Sequence, residues 1–569
     1  MQVIVEFDVP MTTADGVALR SDVYRPDTGR WPALLTRTPY SKAMLAGLMA
    51  FINPVRAARE GFAVVVQDVR GRFKSEGQYV PFEDEAEDGA AAIAWVSSQP
   101  WCNGKVAMFG SSYMAATQML AAPSAPRSLA ALCPIQAVSD YYEGRSFRGG
   151  AFEMGALASI ALWNQAPGIL LRKGLPKEAQ RRYFAEIRAH LSNLKEFLSV
   201  APYDSLRQSV LGAAAPFFFD WWEHDRKDDP FWEKLSVEAR YESISVPALH
   251  VTSWYDQFHV GTLRNYEGLR ARAATATARE GQALIVGPWG HYPPKSSLLG
   301  AARVGDLDFG LDAFVDLEAT QIAWYRRWLH ADESAWRQQK RVRLFVMGRN
   351  TWRDEDEWPL AHARDTPLYL AKGADRARDL SFSPGETGSD TYSFDPANPV
   401  PTCGGAHLVL DSVFPQGPLD QRAIQRRDDV LVYSTSPLAG DVEVTGWVKA
   451  VLWVRSSAPS TDFTAKLVDT WPDGRSFNVC DGIRRVVFAG LESDGGWSKV
   501  TVELGATSMV FLRGHRISAQ ISSSNFPRFD LNPNTGEPVR LASKRVSAVQ
   551  EVSIGGAHAS HLLLPLVAD

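Results

Sequence analysis

Four apolar runs near the N-terminus constrain this fold more than any other feature of the chain. PALLTRTPY, FAVVVQDVRG, KVAMFGSS and LAALCPI are each near-continuous in Leu, Ile, Val and Ala. That composition suits strands buried on both faces. Between the second and third runs, EDEAEDGAAAIAWVSSQ carries its acids first and its apolar face later, as a helix should. Alternating strand and helix implies a parallel sheet covered on both sides. Upstream, VIVEF and VALRSDVY read as an antiparallel pair turning at Asp15-Gly16.

The alternation stops at residue 145. AFEMGALASIALWNQ, KEAQRRYFAEIRAHLSNLKEFL and FFFDWWEHDR read as helices with no convincing strand between them. Strands return in VPALHVTSWYD and GQALIVGPWGH, followed by an amphipathic helix, FVDLEATQIAWYRRWLH. After residue 353 come short β-runs such as DVEVTGWVKAVLWVRS and SKVTVELG, punctuated by Gly, Pro, Asp and Asn, the pattern of a β-sandwich or jelly roll. A chain of 569 residues exceeds one ordinary core, so several domains are expected. The reading is an α/β domain over 1–144 and 242–352, a helical cap inserted over 145–241, and an all-β domain over 353–569.

A net charge of -5 argues against nucleic-acid or anionic-membrane partners. No transmembrane run and no secretory signal is expected. Cys102, Cys133, Cys403 and Cys480 lie far apart, as reduced thiols of a cytoplasmic protein would. His558 and His561 form only an HxxH, and no metal or cofactor is expected.

The stretch KVAMFGSSYMAATQ poses the chemical question, because two serines stand where a strand gives way to a helix. A nucleophilic Ser needs a sharp turn that exposes its hydroxyl at a helix N-terminus. Gly110 stands two before Ser112, whereas Phe109 stands two before Ser111 and would crowd such a turn. Ser112 is therefore the candidate, although Met114 occupies the place where such an elbow usually has a second Gly. Asp256 follows the strand PALHVTSW and His291 follows QALIVG, giving the order Ser, acid, His at successive strand ends that α/β-hydrolases use. His250, within the strand, reads as a packed core histidine; His259 could line the pocket. The amide of Tyr113 and the Tyr40 phenol are candidates for an oxyanion hole.

RTPYSK, QDVRGRFKSEGQYVPFEDEAED, WCNGKVAMFGSSYMAATQ, SWYDQF and VGPWGH together resemble blocks of the cocaine esterase and X-prolyl dipeptidyl peptidase family. That family also contains α-amino acid ester hydrolases and cephalosporin acylases. The similarity continues through VRLFVMGRNTWRDEDEWPL, RRDDVLVYSTSPL and ISSSNFPRFDLNPNTG. It implies an α/β-hydrolase domain, an inserted helical cap and a C-terminal jelly roll. It also implies Ser112 as nucleophile, His291 as base, Asp256 as orienting acid, and Tyr40 with the Tyr113 amide as oxyanion hole. QDVRGRFKSEG would be a structural landmark with Asp68 and Arg70 paired. Homodimers would be in keeping with the resemblance.

The expected partner is a small-molecule ester with a bulky or aromatic acyl group. Phe258, Trp289, His259, Arg145, Leu408 and Val409 are expected around it. Arg145 and Arg148 stand where cocaine-cleaving relatives present an aromatic wall. Asp256-Gln257-Phe258-His259 lacks the carboxylates that hold an ammonium in aminoacyl ester hydrolases, which weighs against aminoacyl and dipeptidyl substrates. Amide cleavage by the same machinery stays open, and an inactive, lectin-like binding protein is the remote alternative.

Overall fold

The computed structural model describes residues 2–45, 52–291, 302–336, 340–373, 378–409 and 414–568. The N-terminal half is built on a sheet of strands β1 (Val3–Thr12), β2 (Ala18–Pro26), β3 (Trp31–Thr38), β4 (Ala63–Asp68), β5 (Cys102–Ser111), β6 (Leu129–Ile135), β7 (Leu249–Ser253), β8 (Ala283–Gly287), β9 (Val342–Val346) and β10 (Thr351–Glu355). Their spatial order is β1-β2-β4-β3-β5-β6-β7-β8-β9-β10. From β4 to β9 all neighbours are parallel, and the antiparallel pairs lie at the two ends.

Period-two alternation explains why the central strands are apolar throughout. In β4, Ala63 and Val65 join one core with Ile93 and Met119, whereas Val64 and Val66 join another with Trp324 and Tyr325. Helices Glu85–Ser98 and Tyr113–Ala121 supply the first layer and Leu317–Leu329 the second. Trp324 Nε1 and Tyr325 Oη donate to the carbonyls of Leu132 and Met108, fixing that helix to the sheet.

The segment between β6 and β7 is mainly helical, as its sequence predicts, and carries one short ladder, Phe147–Arg148 with Ala151–Phe152. Its first helix, Met154–Arg172, is long and apolar enough to cross a membrane, but most of it is buried inside the protein. A π-helical turn at Ala161–Gln165 interrupts this helix.

The C-terminal region is β-rich, with long strands Val442–Ser456, Ser460–Thr470, Ser476–Val487 and Trp497–Phe511. The β-runs read from sequence fall on these and on Leu431–Ser434 and Arg516–Ser522. Among the described residues, strands that the sequence reading passed over, including Ala363–Ala371, Asp379–Ser381, Gly388–Phe394, Ala548–Ile554 and His561–Val567, complete the sheet network.

Two expectations need correction. Arg70 does not pair with Asp68; it pairs with Asp15, Asp84 and Asp88. Asp68 instead accepts from the backbone amides of Lys42 and Lys74, and burial pushes its carboxyl up to about 6. The α/β sheet also runs past residue 352, because β10 closes a hairpin with β9.

Buried charges join the helical segment to the C-terminal region. Arg528 contacts Glu153 at 3.3 Å and Asp481 at 3.0 Å, and Arg148 contacts Glu153 at 3.3 Å. Arg148 therefore serves this junction, donating also to the carbonyl of Gln257.

Candidate active site

β5 ends at Ser111 and the helix Tyr113–Ala121 begins at once, leaving Ser112 as the single hinge residue between them. Its backbone is forced to φ 57° and ψ -121°, a strained conformation for a side-chain-bearing residue. The Ser112 amide donates to the Ile135 carbonyl on β6, and its own carbonyl accepts from Ala115 and Ala116. Gly110 has φ +126°, and a Cβ there would stand 2.6 Å from Met114 Cβ. The same Met114 thus requires the glycine that precedes the serine. Ser111 is buried at the strand end, whereas Ser112 reaches the cavity.

His291 Nε2 lies 3.0 Å from Ser112 Oγ, and His291 Nδ1 lies 2.7 Å from Asp256 Oδ1. Asp256 is fully buried just beyond β7, and its Oδ2 has no hydrogen-bond partner among the described residues. A carboxylate so desolvated interacts strongly with a charge on the neighbouring imidazole. Phe258 packs edge-on to His291, with ring centroids 5.5 Å apart. The His291 backbone amide donates to Gln416 Oε1 at 2.9 Å, so a side chain from the far half of the chain fixes this loop. No sequence pattern pointed to Gln416, because its partner is 125 residues away and nothing local marks the contact.

Ser112 and His291 open into a cavity of about 390 Å³, with Asp256 buried behind them. Tyr40 and Tyr113 line it beside Ser112, their rings edge-to-face at 6.4 Å. The Tyr113 amide opens its helix, where backbone N–H groups lack intrahelical partners. Its phenol is used elsewhere, donating to Glu85 Oε1 and accepting from the Phe82 amide. Phe258, Leu408 and Arg145 line the cavity as expected.

Three other expected contacts do not. His259 is buried behind the site, with Nδ1 on the Asp256 carbonyl and Nε2 accepting from the Ala506 amide; burial lowers it to about 4. Trp289 is buried in the core behind the sheet, donating to the Ala313 carbonyl. Val409 is buried outside the cavity wall and packs towards Gly155. Each lies within two residues of a site residue, yet its side chain packs into the protein rather than into the cavity.

Sequence reasoning also missed Phe82, Arg72 and Trp163, all of which line the cavity. Phe82 holds a positive φ of 72°, a strain no composition reveals. Arg72 donates to the carbonyls of Pro39, Asn164 and Gln165, the last two made available at the π-helical turn. His250 is buried in β7 against Gln282, as read. His558 and His561 have separate partners, Asp494 and the Ala559 carbonyl.

Residues 15–293 match the family model of the X-Pro dipeptidyl-peptidase (S15 family), and residues 334–563 match the X-Pro dipeptidyl-peptidase C-terminal non-catalytic domain. The chain is 40% identical to the cocaine esterase of Rhodococcus sp. (strain MB1 Bresler), covering 98% of this chain and 97% of that protein. Among solved structures, an aminopeptidase from a marine sediment archaeon, Thaumarchaeota archaeon, superposes with TM-score 0.81 at 25% identity, covering 100% of this chain and 97% of that one. An α-amino acid ester hydrolase shares the fold, with TM-score 0.81 at 24% identity over 99% and 96% of the two chains. A strained serine at a strand-to-helix elbow, in line with a histidine and a buried aspartate, thus sits in a chain that belongs to the X-Pro dipeptidyl-peptidase S15 family, as a relative of cocaine esterase.

Proposed function

We propose that this protein is a serine carboxylesterase that cleaves esters through an acyl-enzyme. The observation that carries the reading is the unbroken line from Ser112 Oγ through the His291 imidazole to Asp256, opening on a largely apolar cavity. His291 Nε2 takes the Ser112 proton as Oγ attacks the acyl carbonyl, and Asp256 stabilises the imidazolium that forms. The Tyr113 amide and the Tyr40 hydroxyl stabilise the oxyanion. His291 then gives its proton to the leaving alcohol. Water, deprotonated by the same imidazole, releases the acid and restores Ser112.

The domain reading fits this chemistry. Residues 145–241 act as a cap over the sheet's C-terminal edge, and the β-rich C-terminal region is read as a jelly roll that walls the site through Leu408 and Gln416. The aromatic and aliphatic wall favours a bulky acyl group. Among the described residues no carboxylate lines the cavity, which weighs against substrates carrying an ammonium. The four cysteines are unbridged, in keeping with a cytoplasmic protein.

Initial rates on matched esters and anilides test the reading. Esters should turn over faster than anilides, and Ser112→Ala should lose at least about 10⁴-fold in kcat. Ser111→Ala should stay active. Full activity in Ser112→Ala would move the nucleophile elsewhere.

A further inference from the structure

Building on the esterase reading, the geometry points to Arg145 as a specificity-determining residue that binds a carboxylate on the substrate. The favoured ester would then pair an apolar body with an anionic group.

Arg145 is only 5% exposed, yet it lines the cavity that holds Ser112. Its guanidinium carbon lies 4.0 Å from the Trp221 ring centroid and 4.6 Å from that of Phe82. Of its five N–H donors, one reaches a side chain, the Ser146 hydroxyl at 3.1 Å. Among the described residues no carboxylate stands within ion-pairing distance. Three other buried arginines are paired with carboxylates: Arg37 meets Glu85, Arg148 meets Glu153, and Arg528 meets Glu153 and Asp481. Arg72, the second guanidinium in the cavity wall, spends its N–H groups on three carbonyls.

A charge taken out of water needs a partner, and burial alone does not neutralise this one. Desolvation lowers Arg145 only to about 10, which leaves it protonated at neutral pH. Stacking against rings engages the faces of the planar group and leaves its N–H edge, the edge that holds a carboxylate with two parallel bonds. The cavity wall therefore carries two guanidiniums and no opposing carboxylate. A neutral ester would leave the Arg145 charge unmatched, whereas an ester bearing a carboxylate supplies its counter-ion. Among the described residues Arg145 makes no hydrogen bond to Ser112 or His291, so its role is in choosing the substrate.

The test compares kcat/KM for isosteric pairs that differ only in charge. On the acyl side the pair is 4-nitrophenyl 3-carboxybenzoate and 4-nitrophenyl 3-carbamoylbenzoate; on the alcohol side it is 3-carboxyphenyl benzoate and 3-carbamoylphenyl benzoate. The full-length protein should favour the anion by about tenfold or more in one pair, and that pair locates the carboxylate. In Arg145→Met the ratio should fall to about one, while Arg145→Lys keeps part of it. Taking the ratio within each variant cancels any loss of folded protein. A ratio near one in both pairs, or one unchanged in Arg145→Met, overturns the inference. Should Arg145→Met not fold, inhibition of the unsubstituted protein decides: isophthalate should inhibit 4-nitrophenyl butanoate turnover more strongly than isophthalamide, and equal inhibition refutes the proposal. Failure of the esterase reading would look different, since the neutral esters would then not turn over at all.

Discussion

Tyr40 lines the cavity together with Ser112 and with Tyr113, whose backbone amide opens a helix. A hydroxyl stabilises the oxyanion only as charge develops, so its removal should act on turnover rather than on binding. Tyr40→Phe is expected to lower kcat by about 10²- to 10³-fold with KM changed little and with unaltered thermal unfolding. Steady-state kinetics beside calorimetry checks both halves of that statement. Ser112, Asp256 and His291 were legible as a set because each follows a strand whose apolar run announces it. Arg145 and Phe258 were legible as wall residues, whereas His259, Trp289 and Val409 were not excluded. Deciding which way a side chain points needs the backbone, and sequence adjacency to a catalytic residue says nothing of that.

At the scale of elements, the elbow between β5 and the helix Tyr113–Ala121 depends on Gly110. A methyl group there would meet Met114 Cβ at 2.6 Å and Thr36 Oγ1 at 3.1 Å, on a backbone with φ +126°. Neither obstacle is the free end of a long side chain. Gly110→Ala should therefore cost on the order of 1–3 kcal/mol in strain and lower both the melting temperature and kcat. Equal stability and activity would show that the elbow can relax. The sheet was readable because strands buried on both faces are apolar throughout. Among the missed C-terminal strands, Gly388–Phe394 fails that test: it reads GSDTYSF, and its polar, half-exposed residues resemble a loop until pairing with Ala548–Ile554 reveals them. The π-helical turn at Ala161–Gln165 was equally hidden, since its helix is apolar without interruption on either side.

Over the whole molecule, burial of neutral histidines sets the response to acid. Burial lowers His250 and His259 to about 4 and His407 to about 3. In the unfolded chain each would take a proton near pH 6.5, so below that value the unfolded state binds more protons and gains on the native one. The stabilisation is complete above pH 6.5 and is lost as pH falls towards about 4 for His250 and His259 and about 3 for His407, on the order of 3–5 kcal/mol for each group. Melting temperature should drop over that window, and His250→Gln should flatten the slope; an unchanged slope would assign the acid response to other groups. The contact between Gln416 and the His291 amide has a separate consequence for modularity. The region that supplies Gln416 and Leu408 lies outside the matched peptidase segment, yet it helps hold the base and line the cavity. Half-genes from relatives cannot be shuffled freely at that seam, because a transplanted N-terminal portion arrives with its histidine loop untethered. The histidine loop and the cavity wall are thus built from both halves of the chain.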